Sequence, residues 1–179
     1  MKMLTVAFSF AAAGLLVGSA AAQEKPDFSG EWTIATEPAT GQRSGGRGGR
    51  PAEFGSGWGR TITIAQDAGA LKVVWPFYGR GDLQPPLTFV YALDGSATTD
   101  TVLMGRGVQE QVSRTAWDGN SLVITTVHAF AHPENGQRTT AEVKRTLSLA
   151  APTSLVVETT IGGLLGGPPT TSRTVYTRG

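Results

Sequence analysis

His128, His132 and Glu134 form a His-x-x-x-His-x-Glu arrangement that includes both histidines of the chain. On a helix this spacing sets two imidazoles on one face, as a zinc site requires. The local sequence is not helical. His128 ends an alternating run, and His132-Pro133 belongs to a turn, so helical spacing does not apply. The reading carried forward is an exposed hairpin end, with no metal and no cofactor assigned.

Other catalytic constellations are missing. There is no cysteine, no Gly-x-Ser-x-Gly elbow, no phosphate-binding loop, no dinucleotide fingerprint and no His-Glu-x-x-His. Serine hydrolysis would have to recruit His128 or His132, and no serine stands in an activating motif. No residue is therefore assigned a catalytic role.

What remains is a set of polar side chains on strands. From Gln109 to Trp117, Glu110 and Arg114 share one face, and Gln111, Ser113 and Thr115 share the other. A strand that is polar on both faces does not suit a wholly dry core, because buried polar groups need partners; one of the two sets is expected to line a cavity. From Ala141 to Leu149 one face is apolar except for Arg145. Glu110, Arg114 and Arg145, with Tyr91 as an aromatic wall, are the candidate ligand-binding residues. A carboxylate–guanidinium pair among aromatic rings is an ordinary way to hold a ligand headgroup. The competing readings are a bulge near Gly105 to Gly107 that slips the register, or an Arg145 that snorkels to the rim.

The elements that position these residues are strands. Residues 1–22 are set aside first: Met1-Lys2 is a short positive start, Leu4 to Val17 an apolar core, and Ala20-Ala21-Ala22 a small-residue cleavage site. The apolar run is shorter than the roughly 20 residues of a spanning helix. The expectation is a soluble exported protein, periplasmic or extracellular, with no membrane insertion. Without Lys2 the fifteen basic residues become fourteen, equal to the fourteen acidic ones. A neutral chain has no field to steer it to nucleic acid. With no disulfides, residues 23–179 must be held by one core, and they suffice for one domain.

Past the leader, apolar residues alternate over four to nine positions and are punctuated by turn signals. Asp94-Gly95, Asp118-Gly119, Asn135-Gly136 and Asp67-Ala68-Gly69 predict consecutive antiparallel hairpins. The expected fold is all-β: a single up-and-down antiparallel barrel of about eight to ten strands, since closure hides the edges. Residues 37–59 interrupt the pattern with a Gly/Arg-rich loop carrying Arg43, Arg47 and Arg50. It resembles RGG segments, but the reading preferred is a solubilising loop at the barrel mouth. Phe54, Trp58 and Phe77 fall in such connections and are expected to cap the mouth or anchor loops.

The stretch Asp27-Phe28-Ser29-Gly30-Glu31-Trp32 resembles the Gly-x-Trp opening of lipocalin-like barrels of the calycin superfamily. Together with Trp117-Asp118-Gly119-Asn120-Ser121-Leu122-Val123-Ile124-Thr125-Thr126, it is also similar to small secreted bacterial barrel proteins with "DxSGxW" and "WDGxxLVITT" segments. The resemblance implies that Trp32, after Gly30, seals the closed end beneath an arginine from near the chain's end. Arg173 is the residue assigned, with Arg178 the other position available. Lipocalins usually have eight strands and often a disulfide, so a ten-stranded calycin relative fits equally well.

The leading functional expectation is a barrel that binds a small hydrophobic or amphipathic molecule inside, without covalent chemistry. It predicts a cavity of several hundred Å³, and a barrel axis filled by Trp32, Trp75, Trp117 and Leu147 would sink it. The alternatives are an enzyme using interior Glu110, Arg114 and Arg145, or an envelope-associated module with a filled barrel and an exposed apolar patch.

Overall fold

Each alternating run of the sequence becomes a strand. The structure, a computed structural model, describes residues 25–35, 58–76, 86–104, 107–131, 136–162 and 168–179; for 102–104, 107–109 and 130–131 it describes the backbone alone. The strands are β1 (Gly30–Ile34), β2 (Thr61–Gln66), β3 (Ala70–Trp75), β4 (Leu87–Ala92), β5 (Thr98–Met104), β6 (Gly107–Asp118), β7 (Ser121–Ala131), β8 (Arg138–Ala151), β9 (Ser154–Ile161) and β10 (Thr170–Arg178). The leader, residues 36–57 with their arginines, and Phe77, His132 and Glu134 lie outside the described residues.

All ten strands form one antiparallel sheet in the order β4-β3-β2-β1-β10-β9-β8-β7-β6-β5. It is an up-and-down meander, bent until the first and last strands pair, with Trp32 opposite Arg178 and Ile34 opposite Tyr176. The only break among the described residues falls between β4 and β5. Side chains bridge it: both Asp100 carboxylate oxygens accept the Val90 N–H, at 3.3 and 3.2 Å. Thr115 Oγ1 donates to the Ala92 carbonyl. The barrel is thus nearly closed, with two side chains hydrogen-bonding across the gap where the ladder stops.

An up-and-down meander puts alternate connections at opposite ends. The turns at 67–69, 93–97, 119–120 and 152–153 are short and share one end with the start of β1. The last residues of β1, β3, β5, β7 and β9 lie at the other end, which is the mouth. The β5–β6 ladder shows no register slip, running from Thr98↔Ser113 to Met104↔Gly107. The irregularity lies instead in β8, at Leu149/Ala151.

The inner face carries the core. Trp32, Ile62, Ile64, Leu71, Val73, Leu122, Ile124, Leu147, Leu155, Val157 and Tyr176 are buried against one another. No helix among the described residues is long and apolar enough to cross a membrane, which says nothing about spanning by strands.

Candidate functional site

The closed end is built from the Pro26–Ser29 segment. Gln66, at the end of β2, ties it down: its Oε1 accepts the Phe28 N–H at 3.0 Å, and its Nε2 donates to the Pro26 carbonyl at 3.0 Å. Trp32 Nε1 donates to the Phe28 carbonyl at 2.9 Å, and the Phe28 ring stacks on Trp117 at 6.2 Å. The guanidinium over Trp32 is that of Arg178, at 4.8 Å, and not that of Arg173. Arg173 is exposed and pairs with Glu158 across the outside of the β9–β10 ladder, at 3.9 Å. Gly30 explains the Gly-x-Trp spacing. Its φ is +141°, and a Cβ there would sit 3.2 Å from Arg178 Nε, so a side chain would crowd the arginine that covers the indole.

Above this floor the interior turns polar. Gln111, Ser113 and Thr115 on β6, Thr126 on β7, Arg145 on β8 and Thr159 on β9 are all buried. Pairing places them in a continuous band. Thr115 is opposite Ile124, Ile124 opposite Arg145, and Arg145 opposite Thr159. One rung toward the mouth, Ser113 is opposite Thr126, and their hydroxyls hydrogen-bond at 2.9 Å. One rung further, Gln111 is opposite His128.

Arg145 is the centre of the band, with only 6% of its surface exposed. Its guanidinium lies 5.4 Å from the Trp58 ring centre, and Trp58 Nε1 donates to Tyr91 OH at 3.3 Å. Burial pushes the Arg145 pKa down, and the phenols of Tyr91 and Tyr176 oppose that shift. Burial likewise raises the Tyr91 hydroxyl, which the Arg145 charge and the Trp58 hydrogen bond partly offset. The imidazole of His128 is held down to about 4, first by burial and then by Arg145, so it is neutral at physiological pH.

Two buried polar atoms of the band lack a hydrogen-bond partner: Thr159 Oγ1 and His128 Nε2. Thr159 is 1% exposed. A hydroxyl buried in that state costs about 1–3 kcal/mol relative to a satisfied one, and such atoms call for an explanation.

Of the candidate residues, the structure brings Arg145 and Tyr91 together and separates the other two. Glu110 and Arg114 lie on the outer face of β6, and Glu110 approaches Arg138 across the surface at 3.8 Å with both side chains more than half exposed. The interior carboxylate–guanidinium pair is therefore corrected. The inward set of β6 is Gln111, Ser113 and Thr115, because those residues face the inner side chains of β7. From the sequence, Trp58 is expected to cap the mouth or anchor a loop. In the structure it is 0% exposed and lies on the buried guanidinium.

A half-open cleft of about 360 Å³ lies at the closed end, outside the barrel, between Asp67, Asp94 and Trp117, where Lys25 Nζ sits 4.9 Å from the Trp117 ring. The axis itself is occupied: Trp32 and Leu147 are fully buried, and Trp75 and Trp117 pack against the same core, so an interior ligand requires side chains to move aside.

With this geometry in hand, the chain was compared with known proteins. No family model, no curated protein and no solved structure matches it. The architecture and the site therefore stand on the residues themselves.

Proposed function

We propose that this chain is an exported, lipocalin-like barrel that binds a small, partly apolar molecule in its interior, by contact and hydrogen bonding alone. The observation that carries this reading is the inner polar band around Arg145. The unsatisfied Thr159 hydroxyl beside a buried guanidinium costs desolvation that a purely structural barrel does not recover. A ligand whose polar end meets the band and whose apolar body meets the aromatic rings would offset that cost. The lipocalin-like affiliation and the export signal belong to the same proposal. They are supported by the ten-stranded antiparallel meander, by the Trp32–Arg178 floor, and by the composition of residues 1–22.

The test is native mass spectrometry of the protein purified from its host, followed by thermal unfolding with any retained compound. A bound mass, and a melting temperature that rises with added compound, are expected. Recovery of the bare chain alone, with no response to a broad set of amphipathic molecules, would overturn the reading.

One observation favours a second reading, an envelope-associated interaction module. Val90, Val112 and Val127 are exposed valines on the outer face, and Val112 and Val127 are direct cross-strand neighbours. This reading requires an outer-face partner and no interior ligand. Substituting Val112 and Val127 by Thr would then abolish partner binding and leave the interior unchanged.

A further inference from the structure

Among the described residues, Trp58 differs from every other fully buried aromatic. Trp32, Tyr91 and Tyr176 belong to strands, and Phe28 belongs to the segment stitched across the floor. Trp58 precedes β2, so it enters from the mouth and reaches inward. Its ring rests on a charge, the Arg145 guanidinium at 5.4 Å. Its own N–H is spent on Tyr91 OH at 3.3 Å, a long bond. The next residue, Gly59, has φ +80°, which only glycine adopts readily, and its carbonyl accepts the Tyr176 hydroxyl at 2.9 Å. Trp58 therefore hangs from a glycine joint, fastened on one side to the last strand and capped inside by an arginine and a phenol.

We propose that Trp58 is a resident occupant of the ligand position, and that the molecule it gives way to is a planar aromatic carrying a hydrogen-bond acceptor or anionic group. This rests on the interior-binding reading above and specifies the ligand class. The space the indole fills has the Arg145 guanidinium over its ring at 5.4 Å, which favours a π-system over an aliphatic chain. The Tyr91 hydroxyl already meets a polar ring atom. Thr159, directly opposite Arg145 in the ladder, offers an unused hydroxyl that the indole cannot reach with an acceptor, because indole has none. A ligand ring bearing an acceptor can meet Arg145 and Thr159 together. The barrel then presents its cavity only when the tryptophan withdraws, and the apparent affinity is reduced by the fraction of time it spends inside.

The experiment uses indole-3-acetate as the planar anionic probe and cyclohexylacetate as a non-planar control, on the wild type, Trp58→Ala and Trp58→Phe. Removing the indole should tighten indole-3-acetate binding by at least about 10-fold, with Trp58→Phe intermediate and the control changing by less than about 3-fold. In wild-type protein labelled with 5-fluorotryptophan, one of the four tryptophan resonances, assigned with Trp58→Phe, should move to a solvent-exposed position on saturation. This arm does not depend on Trp58→Ala folding. Equal affinity in wild type and Trp58→Ala would overturn the exchange. So would probe uptake by Trp58→Ala with none by the wild type, which makes Trp58 a fixed core residue. A ligand retained by wild-type protein whose Trp58 resonance stays buried would leave interior binding standing and overturn the exchange alone.

Discussion

The guanidinium of Arg178 lies 4.8 Å over the indole of Trp32, and its Nη2 donates to the Ser29 carbonyl at 2.8 Å. The end of the last strand thereby holds the floor of the first. Arg178→Ala removes both contacts and is expected to cost about 1–2 kcal/mol, read as a fall in the urea midpoint with an unchanged m-value. Arg173→Ala serves as the internal comparison. It breaks only an exposed pair with Glu158 and should cost less than about 0.5 kcal/mol.

Gly59 tolerates no side chain. Its positive φ strains any L-residue, and a Cβ there would overlap the Trp75 indole nitrogen. Gly59→Ala should destabilise by about 2–4 kcal/mol through this overpacking and strain. Combining it with Trp75→Ala removes the steric part only, so chemical denaturation of the pair should show less than the sum of the two single effects.

The neutral imidazole of His128 makes the barrel sensitive to mild acid. Its folded value of about 4 lies below the ordinary 6.5, so between these two values the unfolded chain binds more protons than the folded one. Stability present above about pH 6.5 is therefore lost as pH falls toward 4, by about 2–3 kcal/mol if this group acts alone. Urea unfolding across that range should show the slope, and His128→Gln should flatten it.

Asp100 has the opposite sign. Burial raises its carboxyl above the ordinary 3.8, an effect the Val90 N–H only partly reverses. The stability it contributes is present below its unfolded value and is lost as pH rises through the folded one. Asp100→Asn keeps an acceptor for Val90 and carries no charge to desolvate. At pH 7 the variant should equal or exceed wild type in thermal stability, and the difference should shrink toward pH 3.

Much of this fold is legible from residue order. Alternation from Ala141 to Leu149 places Arg145 inside, and it is inside. Turn signals at 94–95 and 118–119 mark observed connections, and ten strands lie at the upper end of the expected count. Alternation fails on β6, where both faces are polar and nothing in the strand itself says which turns inward; pairing with β7 decides it. The Trp32 partner was readable by parity. Arg178 and Tyr176 are two residues apart and share a face, whereas Arg173 is on the other. Trp58 was not readable. Its burial depends on a loop residue crossing the barrel to Arg145, and no local pattern encodes a contact between residues 87 positions apart.

The interruption of the ladder between β4 and β5 falls between strands that are consecutive in the chain, while β1 and β10, the most distant in sequence, are paired. Hydrogen bonds thus join what the backbone leaves apart, and the backbone spans the place where the hydrogen bonds stop. The 93–97 turn is the clasp of the ring. A chain cut there, with its present ends joined instead, would keep every ladder and leave the Asp100 and Thr115 side chains to bond across the gap.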